Sequence, residues 1–229
     1  MARTYRALAA LLTYPTEAMQ SAAREIAAVL ADEALVSEAR LRALGAFIDE
    51  IASTDIYALQ ERYVSLFDRS RTLSLHLFEH VHGESRDRGQ AMADLIALYE
   101  GHGLAMVPGE LPDFLPLFLE FLSLLPEDEA RSMLAEPAGI LRALTNRLEA
   151  RDAGYASVMA ALADIARAPS LAVSDIPEED TDNLEAMDVA WEEAAVRFGP
   201  GEAMDGCGTD RLRTRLRAAS RDATTAAPV

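Results

Sequence analysis

From its first residues to about residue 168 this chain repeats apolar side chains at helical spacing. Nowhere does it show strand-like alternation bounded by hairpin turns. That pattern confines the fold to helices packed on helices. Pro15 ends a first helix, and Thr16 caps a second that runs to about Ala31. A third helix covers 35–52, with Leu41, Leu44, Phe47, Ile48 and Ile51 on one face. Ser53 or Thr54 caps a fourth, where Ile56, Leu59, Tyr63, Val64 and Phe67 form a stripe. Residues 73–81 form a short apolar turn or helix, and Gly83 breaks it before a helix over 86–102. Gly101 and Gly103 bracket that helix's end as a left-handed stop would.

The next helix, 114–125, is apolar nearly all round, with Glu120 and Ser123 the main exceptions, which marks it as central and buried. Pro116 lies in its first turns, where a missing N–H costs little. Helices over 127–135, 138–150 and 155–168 follow. The expected class is all-α: a single-domain helical bundle over 1–168, followed by an appendage over 169–229. The appendage is acidic around Trp191 and Arg-rich from Arg211 to Arg221. It has too little apolar surface to order itself alone, so partial disorder is expected there.

Charge and cysteine usage narrow the function. The formal net charge is −17, and every basic side chain is arginine. A surface of that sign repels phosphate backbones, so no nucleic-acid partner is expected, and it steers basic partners inward. Cys207 is the only cysteine, which rules out intramolecular disulfides and thiol-rich metal sites and fits a reducing compartment. No run of eighteen uncharged apolar residues occurs, so no membrane span is expected, and the N-terminus reads as a helix instead of a signal peptide. Cytoplasmic placement follows as the expectation.

The stretch 75–92, LHLFEHVHGESRDRGQAM, breaks a local rule. A helix opening on Arg86 and Arg88 sets cations at its positive end, although Ser85 suits a cap and Asp87 suits the dipole. Such violations gather at functional or strained places; the plainer account is that both arginines pair with carboxylates elsewhere. His76 and His80 stand four residues apart, with His82 following, so two imidazoles would share a helix face near Glu79 or Glu84. A zinc site would also need convergence and a fourth ligand, and Gly83 works against that; packing, hydrogen bonding or a pH-sensitive role is the simpler reading. Asp68 either receives an arginine or caps a turn. Glu110 and Asp113 ride at a helix start, where acids are favourable anyway. Tyr63, Phe67, Phe78 and Met92 read as core or as an apolar groove for a helical peptide. Phosphate loops, dinucleotide fingerprints, nucleophile elbows and HExxH are all missing from the sequence.

Three runs carry the argument further: YVSLFDRSRTLSLHLFEHVHGESRDRGQAM, DLIALYEGHGL and ELPDFLPLFLEFLSLLP. Together they resemble the signature of the respiratory nitrate reductase assembly chaperones. This is the NarJ family, or nitrate reductase delta subunit, a branch of the wider TorD/DmsD group of redox enzyme maturation chaperones. The LLTYPTE start and the AWEEAAVRFGPG tail are similar to the same branch, although Ala194-Ala195 stand where the family often has prolines.

The resemblance implies a cytoplasmic, all-helical protein without catalytic activity. It would bind the N-terminal segment of the nitrate reductase catalytic (alpha) subunit and hold the apoenzyme competent for insertion of its molybdenum cofactor. That cofactor, molybdopterin guanine dinucleotide, would be delivered to the client and not held stably here. Cofactor-biosynthesis proteins would be further partners, and membrane docking of the client would follow. The same motifs would serve an equivalent chaperone for another molybdopterin oxidoreductase. Carried over by position, the motifs fall on Tyr63, Phe67, Asp68, His80, His82, Gly83, Ser85, Arg86, Asp87, Arg88, Gly89 and Met92, then on Glu110, Leu111, Pro112, Asp113 and Pro116. In the expected complex the client's apolar side lies against Phe67, Phe78 and Met92, and Asp68, Glu84 and Asp113 face its positive groups. Charge reversal at Asp68 or Asp113 is expected to weaken it.

Overall fold

The computed structural model describes residues 2–82, 87–107, 109–151 and 153–167, with only the backbone of His82. Among these residues the structure is all-α, and the one extended pairing is an isolated bridge between His76 and Phe114. The appendage expected over 169–229 lies outside the described residues.

Helix α1 (Arg3–Leu11) has no capping side chain at Ala2. Its first amides are capped from elsewhere: Glu33, at the end of α3 (Ala23–Glu33), accepts from the Arg3 N–H at 2.8 Å and the Thr4 N–H at 2.7 Å. A carboxylate there satisfies two orphan donors and suits the helix dipole, so one side chain joins two helices. Between them lies the short α2 (Glu17–Ser21), capped by Thr16. The single helix expected from Thr16 to Ala31 is therefore two, separated at Ala22, whose N–H bonds back to Ala18 and Met19. The amide of Gln20 donates to the carbonyls of Ile51 and Thr54, both at 2.8 Å, tying α2 to the end of α4 (Glu38–Ser53).

The fourth helix is capped by Asp55, not by Ser53 or Thr54; its carboxylate accepts from the N–H groups of Tyr57 and Ala58. It runs as α5 (Ile56–Tyr63) and then widens into a π-turn (Val64–Asp68), where the Arg69 N–H reaches the Val64 carbonyl at 3.1 Å. Leu59, Tyr63, Leu66 and Phe67 face inward, while Ile56 and Val64 are half-buried. A short 3-10 turn (Arg71–Leu73) and the four-residue α6 (Glu79–His82) precede α7 (Asp87–Gly101). The left-handed stop is Gly103, at φ +79°; Gly101 is still helical.

The rest is α8 (Leu115–Leu122), α9 (Glu127–Ala135), α10 (Ala138–Ala150) and α11 (Ala156–Ile165). Helix α1 lies against α3, α8 and α11, and α11 also packs on α10 and α4. Leu8, Leu44, Leu119, Leu144, Leu148, Met159 and Leu162 are fully enclosed. Each such side chain contributes roughly 1.5–3 kcal/mol through lost water contact. An aromatic cluster completes the core: Tyr155 meets Phe47 at 4.7 Å and Phe67 at 5.0 Å between ring centres, and Tyr63 meets Phe67 at 4.9 Å. The buried Tyr63 hydroxyl donates to the Leu12 carbonyl at 2.9 Å, which fixes α5 to the end of α1. No helix among the described residues is long and apolar enough to cross a membrane.

Candidate functional site

The entry to α8 is built by a strap, residues 74–78, laid antiparallel beside residues 113–115. The Leu115 N–H donates to the Leu75 carbonyl at 2.9 Å, and the Leu77 N–H donates to the Asp113 carbonyl at 3.0 Å. The carboxylate of Asp113 closes the joint: it accepts from the Phe78 N–H at 3.1 Å and stands 3.3 Å from Nδ1 of His76. Asp113 is 0% exposed. The sequence places Asp113 at a helix start, facing a client's positive groups; in the free chain its oxygens are turned inward to hold the strap. A buried carboxylate needs such partners, since desolvation without them is costly.

Two further bonds brace the joint. The Tyr99 hydroxyl, from α7, donates to the Pro112 carbonyl at 2.8 Å, and Arg147, from α10, donates to the Thr72 carbonyl at 2.8 Å. Burial raises the Tyr99 pKa well above its ordinary value, with the Asp113 charge acting the same way, so the hydroxyl stays a donor. His80 is half-buried, with Nε2 2.8 Å from the Ser74 carbonyl. Burial lowers its pKa. His76 and His80 do not share a helix face, because His76 belongs to the extended strap and only His80 is helical. Among the described residues no group of three or more His, Cys, Asp or Glu side chains converges as a metal site would require.

The outer side of this joint is open. A hollow of about 440 Å³ is bordered by His76, Glu110, Leu111, Phe114, Leu117 and Glu120, with Pro116 at its wall. A second hollow, of about 320 Å³, shares Glu110, Leu117 and Glu120 with the first and continues past Met106 to Leu124. Val107 is 59% exposed, and Leu111 and Leu124 are each 44% exposed. Apolar side chains with two exposed carboxylates, Glu110 and Glu120, and one exposed arginine, Arg6, at the far end form this surface. Such a lining suits a segment that is itself apolar and basic.

The remaining residues singled out from sequence fall into separate groups. Glu110, Leu111 and Pro116 border the hollow, whereas Tyr63 and Phe67 belong to the aromatic core and Pro112 is buried. Phe78 and Met92 are half-buried, and Asp68 is exposed. Arg88 pairs with Glu79 at 3.4 Å, the plainer account offered for one of the two arginines. Asp87 opens α7 and suits its dipole, while a Cβ at Gly89 would meet nothing within 4 Å, so no close approach demands glycine there. Gly83, Glu84, Ser85 and Arg86 lie outside the described residues, as does the His82 side chain. Sequence reasoning missed that Phe114 and Leu117 are only half-buried, because a nearly all-apolar helix reads as enclosed. Glu120, the charge interrupting that helix, was the available signal.

Fold and surface together define an all-α bundle with an acid-rimmed apolar face. Residues 16–161 match the family described as the nitrate reductase delta subunit. The chain is 41% identical to the nitrate reductase molybdenum cofactor assembly chaperone NarJ of Escherichia coli (strain K12), over 90% of this chain and 88% of that protein. It is 38% identical to the probable chaperone of the same description, NarW, from that strain, over 93% and 90%. With the probable NarJ of Bacillus subtilis (strain 168) it shares 35% identity over 68% of this chain and 84% of the relative. The chain belongs to the nitrate reductase delta subunit family. These relatives are named as assembly chaperones, none as a catalyst.

Proposed function

We propose that this chain is a non-catalytic chaperone in the assembly of a nitrate reductase. It binds the N-terminal segment of the catalytic (alpha) subunit and keeps the apoenzyme competent for molybdenum cofactor insertion. The observation that carries this reading is 41% identity, over 90% of the chain, to a protein named as a nitrate reductase molybdenum cofactor assembly chaperone; the leader as the bound segment is our own step beyond that name. The acid-rimmed apolar face beside α8 supports it, since a basic, amphipathic leader would lay its apolar side on Leu111, Phe114 and Leu117. Glu110 and Glu120 would then meet its cations, accelerating encounter and setting orientation more than adding affinity. Holding such a segment requires no covalent step. Release follows when the folded, cofactor-loaded client binds less well than the unfinished one. The cofactor, molybdopterin guanine dinucleotide, is cargo for the client in this scheme, and the working compartment is the cytoplasm.

Calorimetry with a synthetic peptide of the catalytic subunit's N-terminus tests the reading. Saturable one-to-one binding that weakens with salt is expected. Reversing both Glu110 and Glu120 to arginine should lower affinity about tenfold, or roughly 1.4 kcal/mol. Unchanged affinity in that variant would remove this face from the site, and no binding by the native chain would remove the leader as the ligand. Molybdenum content of the catalytic subunit, made with and without this chain, then tests the assembly role.

A further inference from the structure

A third hollow, on a different part of the molecule, is lined by arginines instead of carboxylates for the most part. About 580 Å³ in volume, it is bordered by Arg62 from α5, Ser65 in the π-turn, Arg69 just after it, and Arg151 at the end of α10, with the ring of Tyr14 at its edge. Among the described residues three guanidinium groups, one of them paired with Glu50, and one carboxylate, Glu61, line it. In a chain of net charge −17, which repels anions at long range, such a local excess of cations runs against the general field.

The arginines there are not all spent on the fold. Arg62 pairs through Nη1 with Glu50, but its Nε and Nη2 are buried and have no hydrogen-bond partner among the described residues. The guanidinium of Arg69 is exposed and makes no ion pair or hydrogen bond among the described residues. Buried donors left without an acceptor require an explanation, and a bound anion, directly or through a bridging water, supplies one. The π-turn that carries Ser65 is itself a rare element, found frequently at functional sites. Tyr14 is 46% exposed, with its ring edge-on to Tyr63 at 5.6 Å, so an aromatic face is held at the rim without being buried.

We propose that this hollow between Tyr14, α5, the π-turn and the end of α10 binds a small oxyanion of the diphosphate class. Guanidinium forks match phosphate oxygens in pairs, which distinguishes this chemistry from a diffuse attraction for negative charge. Such a site would serve the chain whether or not the face beside α8 holds a client segment.

The test is calorimetry of the full chain with inorganic diphosphate at low ionic strength, with citrate as a carboxylate of comparable charge. Saturable one-to-one binding of diphosphate is expected, with citrate weaker. Arg69→Ala should weaken diphosphate about tenfold, because one charge-assisted contact is lost. Arg24→Ala, an exposed arginine on α3 away from the hollow, should leave it unchanged. Circular dichroism of both variants should match the native chain. No saturable binding by the native chain would overturn the proposal, as would equal losses in the two variants. Citrate binding as tightly as diphosphate would overturn the assignment to phosphate chemistry.

Discussion

The inner and outer sides of the 110–120 segment use the same kinds of residue for opposite ends. Inward, Asp113, Leu115, Phe118 and Leu119 are enclosed, and the polar member is matched to an N–H and an imidazole. Outward, Glu110, Leu111 and Glu120 are exposed and Phe114 and Leu117 half-buried, with their apolar surface and charge still facing water. The difference shows that composition along a helix does not tell which carboxylate is structural. Partners do. Asp113 and Glu110 lie three residues apart, yet one closes a joint and the other borders a hollow.

The sharpest way to break this contrast is to truncate a leucine on each side. Leu119 is 0% exposed, and Leu119→Ala should cost about 2–5 kcal/mol of unfolding free energy from lost burial and the cavity left behind. Leu111, 44% exposed, should cost no more than about 0.5 kcal/mol when changed to alanine, while peptide binding suffers. Urea unfolding of the two variants measures the separation. Equal stability losses would mean that the outer row is part of the core and not a docking face.

A smaller effect tests the joint itself. Asp113→Ala leaves the Phe78 N–H without its acceptor and should destabilise by about 1–3 kcal/mol. Asp113→Asn keeps one acceptor oxygen and should recover part of that loss. If Asp113→Ala matched the native chain in urea while losing the leader peptide, the carboxylate would act on the ligand despite its burial.

How far the sequence anticipated this arrangement depended on what sets each feature. Helical class and most helices were legible, because the apolar period reports directly which face is buried; 127–135 and 138–150 appear where expected. The break at Ala22 was not legible, since alanine carries no mark of a helix end. Nor was the capping of α1 by Glu33, a contact across thirty residues of chain. At the candidate site the sequence singled out Glu110, Leu111, Pro112, Asp113 and Pro116, but not their division between inside and outside. Spacing places Asp113 at a helix start, whereas only the strap from residues 74–78 determines that it is enclosed. His76 and His80 were misplaced for a related reason: an i,i+4 pair implies one face only when the intervening backbone is helical, and here it is extended at His76.

The weakest expected effect distinguishes the strap from the open face by pH. The His80 pKa is lowered from its ordinary 6.5 chiefly by burial, and Arg147 pushes it the same way. The Ser74 carbonyl, Glu79 and Asp113 act in the opposite direction without overcoming the burial. A histidine held neutral in the folded state binds fewer protons there than when unfolded. Stability therefore falls as pH drops below 6.5, and the loss continues until the folded pKa is reached. His80→Gln keeps a side-chain N–H to offer the Ser74 carbonyl but cannot take up a proton. The difference in unfolding free energy between native chain and variant, measured from about pH 7 down to about pH 5, should shift against the native chain as acid is added. A difference that stays constant with pH would show that His80 does not titrate against the fold, and one that shifts in the native chain's favour would place the proton in a stabilising contact with Glu79 or Asp113.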